Sequence, residues 1–185
     1  MFGFLKVRRG RRAAVETLAP FVARSRSRNP HIPENVWLSP YLVGLMGALI
    51  TLAAKRRTGA LDPQNLAIVQ AQAWSALTEI EGDLFGDEMY LLSTDPDEAF
   101  KSGCRNAAEL FGLISGELVS TAEQGTATDH ASWSNAFWHM PRPDDEVPEA
   151  AIDPVFSATG DAFAMWDACF EAHLEHGRAD ARPRS

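Results

Sequence analysis

Metal and acid–base chemistry on helices needs carboxylates and imidazoles repeated three or four residues apart, since that spacing puts them on one face. The chain offers two such groups and one wider pair. Glu79, Asp83 and Asp87 stand four apart. Glu109 and Glu117 stand eight apart. Asp167, Glu171 and Glu175 run beside His173 and His176. A di-metal centre in a helical bundle requires Glu-x-x-His on two helices, all pointing inward. No Glu-x-x-His occurs in the chain, and His173-Leu174-Glu175-His176 is the nearest pattern. The acidic positions are offset from the apolar stripes of their helices, so solvated faces are expected, with no metal and no cofactor.

Other reactive side chains are scattered. His130 and His139 lie near Asp129, Asp144 and Asp145 and could serve as acid–base groups, though packing and hydrogen bonding are the commoner uses of such histidines. Cys104 and Cys169 fall on or beside apolar stripes, where cysteine behaves as a small hydrophobe. Two cysteines are too few for a disulfide framework or a thiolate zinc site. Gly-x-Ser-x-Gly, a phosphate-binding glycine loop and a dinucleotide fingerprint are all lacking. No catalytic set emerges.

The elements that must position these residues read as helices. Apolar residues recur at steps of three and four, and neither alternating strand patterns nor Asn-Gly or Asp-Gly hairpin turns occur. A first helix is expected over 11–28, with Val15, Leu18 and Val22 on one face and a kink at Pro20. A Pro-rich connector, 29–40, follows, anchored by Trp37. Ser39-Pro40 opens the second helix, which ends in Lys55, Arg56 and Arg57 before Gly59. Asp62-Pro63 opens a third running through Leu66, Val69, Ala73, Leu77, Ile80, Leu84 and Leu91. Asp95-Pro96 opens a fourth, with Phe100, Cys104, Ala107, Phe111, Ile114 and Leu118 buried, ending near Gly125. Asp153-Pro154 opens the last, burying Phe156, Phe163, Trp166, Phe170 and Leu174. Gly44, Gly47, Gly112 and Gly116 are expected where helices approach closely. The fold class predicted is all-α: a single-domain bundle of about five helices, with a long aromatic-containing connection before the last.

Residues 36–54 carry no charge over 19 positions and invite comparison with a membrane span. Their purely apolar stretch, Tyr41 to Ala54, is only about 14 residues, a length that suits a buried core helix. Basic clusters at both ends leave no charge asymmetry to set an orientation. A central bundle helix is expected.

With 185 residues, 45% hydrophobic and 23% charged, the chain lies outside the disordered and low-complexity classes and fits one domain. The division expected is an N-terminal arm over 1–12, a helical domain over 13–177 and a tail over 178–185. The net charge of −8 conceals a strong asymmetry. Residues 1–57 hold eleven basic residues against two acidic, whereas residues 58–185 hold six against 23. Such bipolarity permits contact with anionic partners that a uniformly acidic chain would repel. The plainer expectation is that the basic first helix lies across acidic helices of the same chain or of a second copy. Arg8, Arg9, Arg11, Arg12, Arg24, Arg26 and Arg28 form the candidate basic patch. Without Asn, Gln or Arg base readers on a recognition helix, no sequence-specific nucleic-acid partner is expected.

Met1 to Arg12 places apolar residues ahead of basic ones, the reverse of a secretory signal, and could instead rest on a membrane surface. The connection over 124–153 is longer than two helices need, and it contains Trp133, Phe137, Trp138, His139 and Met140 as candidate partner-binding residues. Together these features predict a non-enzymatic helical interaction or scaffold module with a protein partner, a homodimer included. A cytoplasmic location is expected, and an Ala- and Arg-rich composition of bacterial character. The alternatives are an enzyme or small-ligand binder with its pocket under 124–153, and a peripheral membrane protein held by residues 1–12 on the cytoplasmic face.

Overall fold

In a computed structural model, which describes residues 2–116 and 160–180, the chain forms α1 Phe2–Arg28, α2 Glu34–Trp37, α3 Pro40–Thr58, α4 Pro63–Thr78, α5 Gly82–Thr94, α6 Glu98–Ser115 and α7 Gly160–Asp180. The protein is all-α, and no strand occurs among the described residues. Among the described residues there are seven helices where about five were expected, for two local reasons.

First, Glu34–Trp37 forms a short helix within the connector, where Trp37 is buried as its expected anchor. Second, the run expected as one helix from Asp62 is two. Asp62 caps α4, accepting from the Asn65 N–H at 2.9 Å, but Glu79 turns left-handed at φ 63° and ends it. Gly82 then starts α5 so close to the Ala71 carbonyl that a Cβ would collide with it. In addition, α1 starts at Phe2 rather than 11, so residues 2–12 are its first turns, which lengthens that helix without adding one. Their inward positions, Val7, Gly10 and Ala14, are buried, and Gly10 packs against Val69 and Ala54. Two boundaries also move. Asp97, not Asp95, caps α6, its side chain accepting from the Phe100 N–H at 2.7 Å. The helix ends at Ser115, with Gly116 left-handed at φ 68°. Gly116 is therefore a helix end and not a close approach, because only glycine enters that conformation without strain. The expected start of the last helix at Asp153 lies outside the described residues.

α3 is the central helix. From Leu42 to Ala54 only Leu52 is not fully buried, and α1, α4, α5 and α6 surround it. The closest packing is between α3 and α6: a Cβ on Gly44 would strike the Phe100 carbonyl, and one on Gly103 the Tyr41 carbonyl. No helix among the described residues is long and apolar enough to cross a membrane. An aromatic layer made by Trp37, Trp74, Phe85, Trp166 and Phe170 completes the core. Phe85 stacks on Trp74 at 4.3 Å and Phe170 on Trp166 at 4.9 Å.

Candidate interaction surface at the basic end of the bundle

The candidate basic patch divides along the length of α1. Arg9 and Arg26 are 17 residues apart, about 25 Å along a helix, which is well beyond the screening length of about 8 Å at physiological salt. Their surroundings differ accordingly.

At the C-terminal end, the arginines are engaged within the chain. Arg24 grips Asp167 of α7 through Nε and Nη2, at 2.8–3.1 Å, and Arg28 Nη1 reaches the same carboxylate at 2.9 Å. The hydrogen bond from Arg24 holds the Asp167 carboxyl below its ordinary range, against an opposing cost of burial. Arg26 pairs with Glu79 at 2.5 Å. Here the basic helix meets carboxylates of its own chain on one acidic helix, α7, and at the C-cap of α4, and these three charges are held by them.

The N-terminal end is different. Lys6, Arg8, Arg9, Arg11 and Arg12 all face solvent, as do Phe4 and Leu5, which are 72% and 50% exposed. This exposure follows from the helical period. Val7, Gly10 and Ala14 occupy the inward stripe, so the intervening positions turn outward. Packing of Gly10 against Ala54 and Thr58 brings the last turn of α3, with Lys55, Arg56 and Arg57, to the same end. Lys6 Nζ also reaches the Ala60 carbonyl at 3.4 Å. Residues 3–16 and 54–69 thus gather eight cations against two carboxylates. Glu16 pairs with Arg12 at 2.7 Å, and Asp62 is occupied in capping α4. Ile68 on α4 adds a third exposed apolar side chain. The convergence of α3's basic turn with the N-terminal segment rests on two small residues, Gly10 and Ala54, which let the helices meet.

A polar cluster at the opposite end joins α3, α6 and α7. Ser39 stands at the N-cap of α3 without capping it, and its Oγ lies 2.7 Å from His173 Nε2. Tyr41 stacks on that imidazole at 4.8 Å, and Asn106 Nδ2 donates to Tyr41 Oη at 2.7 Å. Burial pushes the Tyr41 hydroxyl up to about 12, although the Asn106 hydrogen bond opposes this. A serine beside an imidazole invites comparison with a nucleophile and its base. The following residue is Pro40, however, and it has no N–H to donate to an oxyanion. Burial also raises both nearby thiols, Cys104 to about 11, so neither is a ready thiolate at neutral pH. These contacts link α3, α6 and α7.

Of the other candidate residues, Glu79 and Asp167 serve ion pairs, and Glu171 accepts from Asn29 Nδ2 at 3.0 Å. Asp83 and Asp87 are exposed on α5, near the exposed Leu84, Tyr90 and Leu91. Among the described residues no group of three or more His, Cys, Asp or Glu could hold a metal ion. An open depression of about 280 Å³ lies between the connector and the end of α4, where the Arg26–Glu79 pair meets His31 and Trp37. Trp133, Phe137, Trp138, His139 and Met140 lie outside the described residues, as do His130, Glu117 and the side chains of Glu175 and His176. In comparisons with protein-family models, curated proteins and solved structures, the chain matches none.

Proposed function

We propose that this protein is a non-enzymatic helical docking module that uses the basic end of its bundle to attach to an anionic partner. One observation carries the reading: eight cations and two engaged carboxylates meet where α1 begins and α3 ends, in a chain of net charge −8. Like charges held together on a folded surface repel one another and destabilise it, and an anionic partner converts that repulsion into attraction. Arg24, Arg26 and Arg28, at the far end of α1, are already held by Asp167 and Glu79 and are not part of the docking surface. Acidic surfaces elsewhere oppose non-specific adhesion and leave one end able to engage.

Titration of the full chain with inorganic polyphosphate, followed by calorimetry at low and physiological salt, tests this reading. Binding that weakens with salt is expected. The variant Arg8→Glu/Arg9→Glu/Arg11→Glu/Arg12→Glu should lose roughly a hundredfold or more, since each cation near an anionic surface is worth about 1 kcal/mol. Arg24→Gln and Arg28→Gln, at the other end, should leave binding within about twofold. Equal loss from both ends would refute the assignment.

A further inference from the structure

We infer that the anionic partner of the basic end is a phospholipid bilayer surface, into which Phe4 and Leu5 insert while the neighbouring arginines meet lipid phosphates. The inference rests on the docking reading above and adds the identity of the partner. Charge alone fits any polyanion. What selects a bilayer is the pair of large apolar side chains among the cations, on the outward side of the same helical turns. Leu5 lies opposite the inward stripe of Val7, Gly10 and Ala14 and Phe4 on its flank, and both are already exposed, so no repacking of the bundle is needed to expose them. A phosphate chain or a duplex backbone offers such side chains nothing apolar, whereas the boundary between headgroups and acyl chains does.

The arrangement matches what interfacial anchoring requires. One apolar signal alone holds a protein only marginally, and a second, polybasic signal is needed for stable attachment. Here the two signals are interleaved. Lys6, Arg8, Arg9, Arg11 and Arg12 occupy the turns next to Phe4 and Leu5, and Lys55, Arg56 and Arg57 belong to the last turn of α3, whose Ala54 and Thr58 pack on Gly10. Ile68 of α4 is also exposed, next in sequence to the Val69 that packs on Gly10. Gly3, against Asn65, and Gly10, against Val69, hold the helix close to α4 along these turns, so the docking end is carried on a rigid element.

Co-sedimentation of the full chain with vesicles of phosphatidylglycerol and phosphatidylcholine in equal parts, and with phosphatidylcholine alone, tests the inference. Binding to the anionic vesicles only is expected. Phe4→Ala/Leu5→Ala, both at exposed positions, should weaken vesicle binding roughly tenfold or more while polyphosphate binding stays unchanged. Polyphosphate or duplex DNA binding without vesicle binding would overturn the lipid assignment and leave the docking reading standing. Vesicle binding that is indifferent to Phe4→Ala/Leu5→Ala would also overturn it. Failure to bind vesicles and polyphosphate alike would overturn both.

Discussion

Trp166 Nε1 donates to Ser25 Oγ at 2.8 Å, a buried hydrogen bond joining residues 141 positions apart. It satisfies both polar groups where α7 closes on α1, and the Arg24–Asp167 pair stands on the same contact. Phe21 packs on the indole at 5.5 Å, and Phe170 stacks on it. α7 is therefore an integral wall of the core.

Removing the indole tests that role. Trp166→Ala should cost roughly 3–5 kcal/mol through lost burial and a cavity. Ser25→Ala, which leaves the indole N–H buried without its acceptor, should cost about 1–3 kcal/mol. Urea unfolding of both variants measures the losses. A change below about 1 kcal/mol for Trp166→Ala would show that α7 does not close the core.

Two glycines should respond in opposite directions. A methyl on Gly103 meets the Tyr41 carbonyl and the Leu45 backbone nitrogen, so Gly103→Ala should destabilise by roughly 1–3 kcal/mol or prevent folding. Gly86, within α5, has open space around it, so Gly86→Ala should stabilise by about 0.5–1 kcal/mol. Thermal unfolding of the pair decides the matter. A neutral Gly103→Ala would mean that α3 and α6 do not meet backbone to backbone.

Acid should weaken the contact between α1 and α7. The Arg24 hydrogen bond lowers the Asp167 pKa in the folded chain, so its contribution is present above the unfolded value of about 3.9 and is lost as pH falls through the folded one. Asp167→Asn should therefore be less stable than the parent at pH 7, and the gap should shrink towards pH 2. An equal gap at both pH values would remove the ion pair as its cause.

Helix openings were legible where the cap and proline act locally. Asp62-Pro63 starts α4 with the side-chain cap its residue types predict, whereas at Ser39-Pro40 the helix starts at the proline as expected but the serine side chain does not cap it. Asp95-Pro96 was misleading because a second carboxylate, Asp97, stands two residues on and takes the cap. The break at Glu79 was hidden, since Leu77, Ile80 and Leu84 continue the apolar period across it and the deciding contact, Gly82 on Ala71, is tertiary. The first turns of α1 escaped notice for a related reason. Their inward stripe includes Gly10 and Ala14, which pack closely yet give no hydrophobic signal. Charge segregation was visible in the sequence. Which arginines would be engaged was not, because Arg24 and Arg28 find their partner on α7, some 140 residues on.

The most direct test of the basic docking end is retention of the full chain on a sulfonate cation exchanger at pH 7 and low salt. With a net charge of −8 and an isoelectric point near 5.1, a protein of evenly spread charge would be repelled by that resin. Retention is predicted, with elution by salt, and Arg8→Glu/Arg9→Glu/Arg11→Glu/Arg12→Glu should emerge in the unbound fraction. Passage of the unaltered chain straight through the column would contradict an accessible, concentrated basic end.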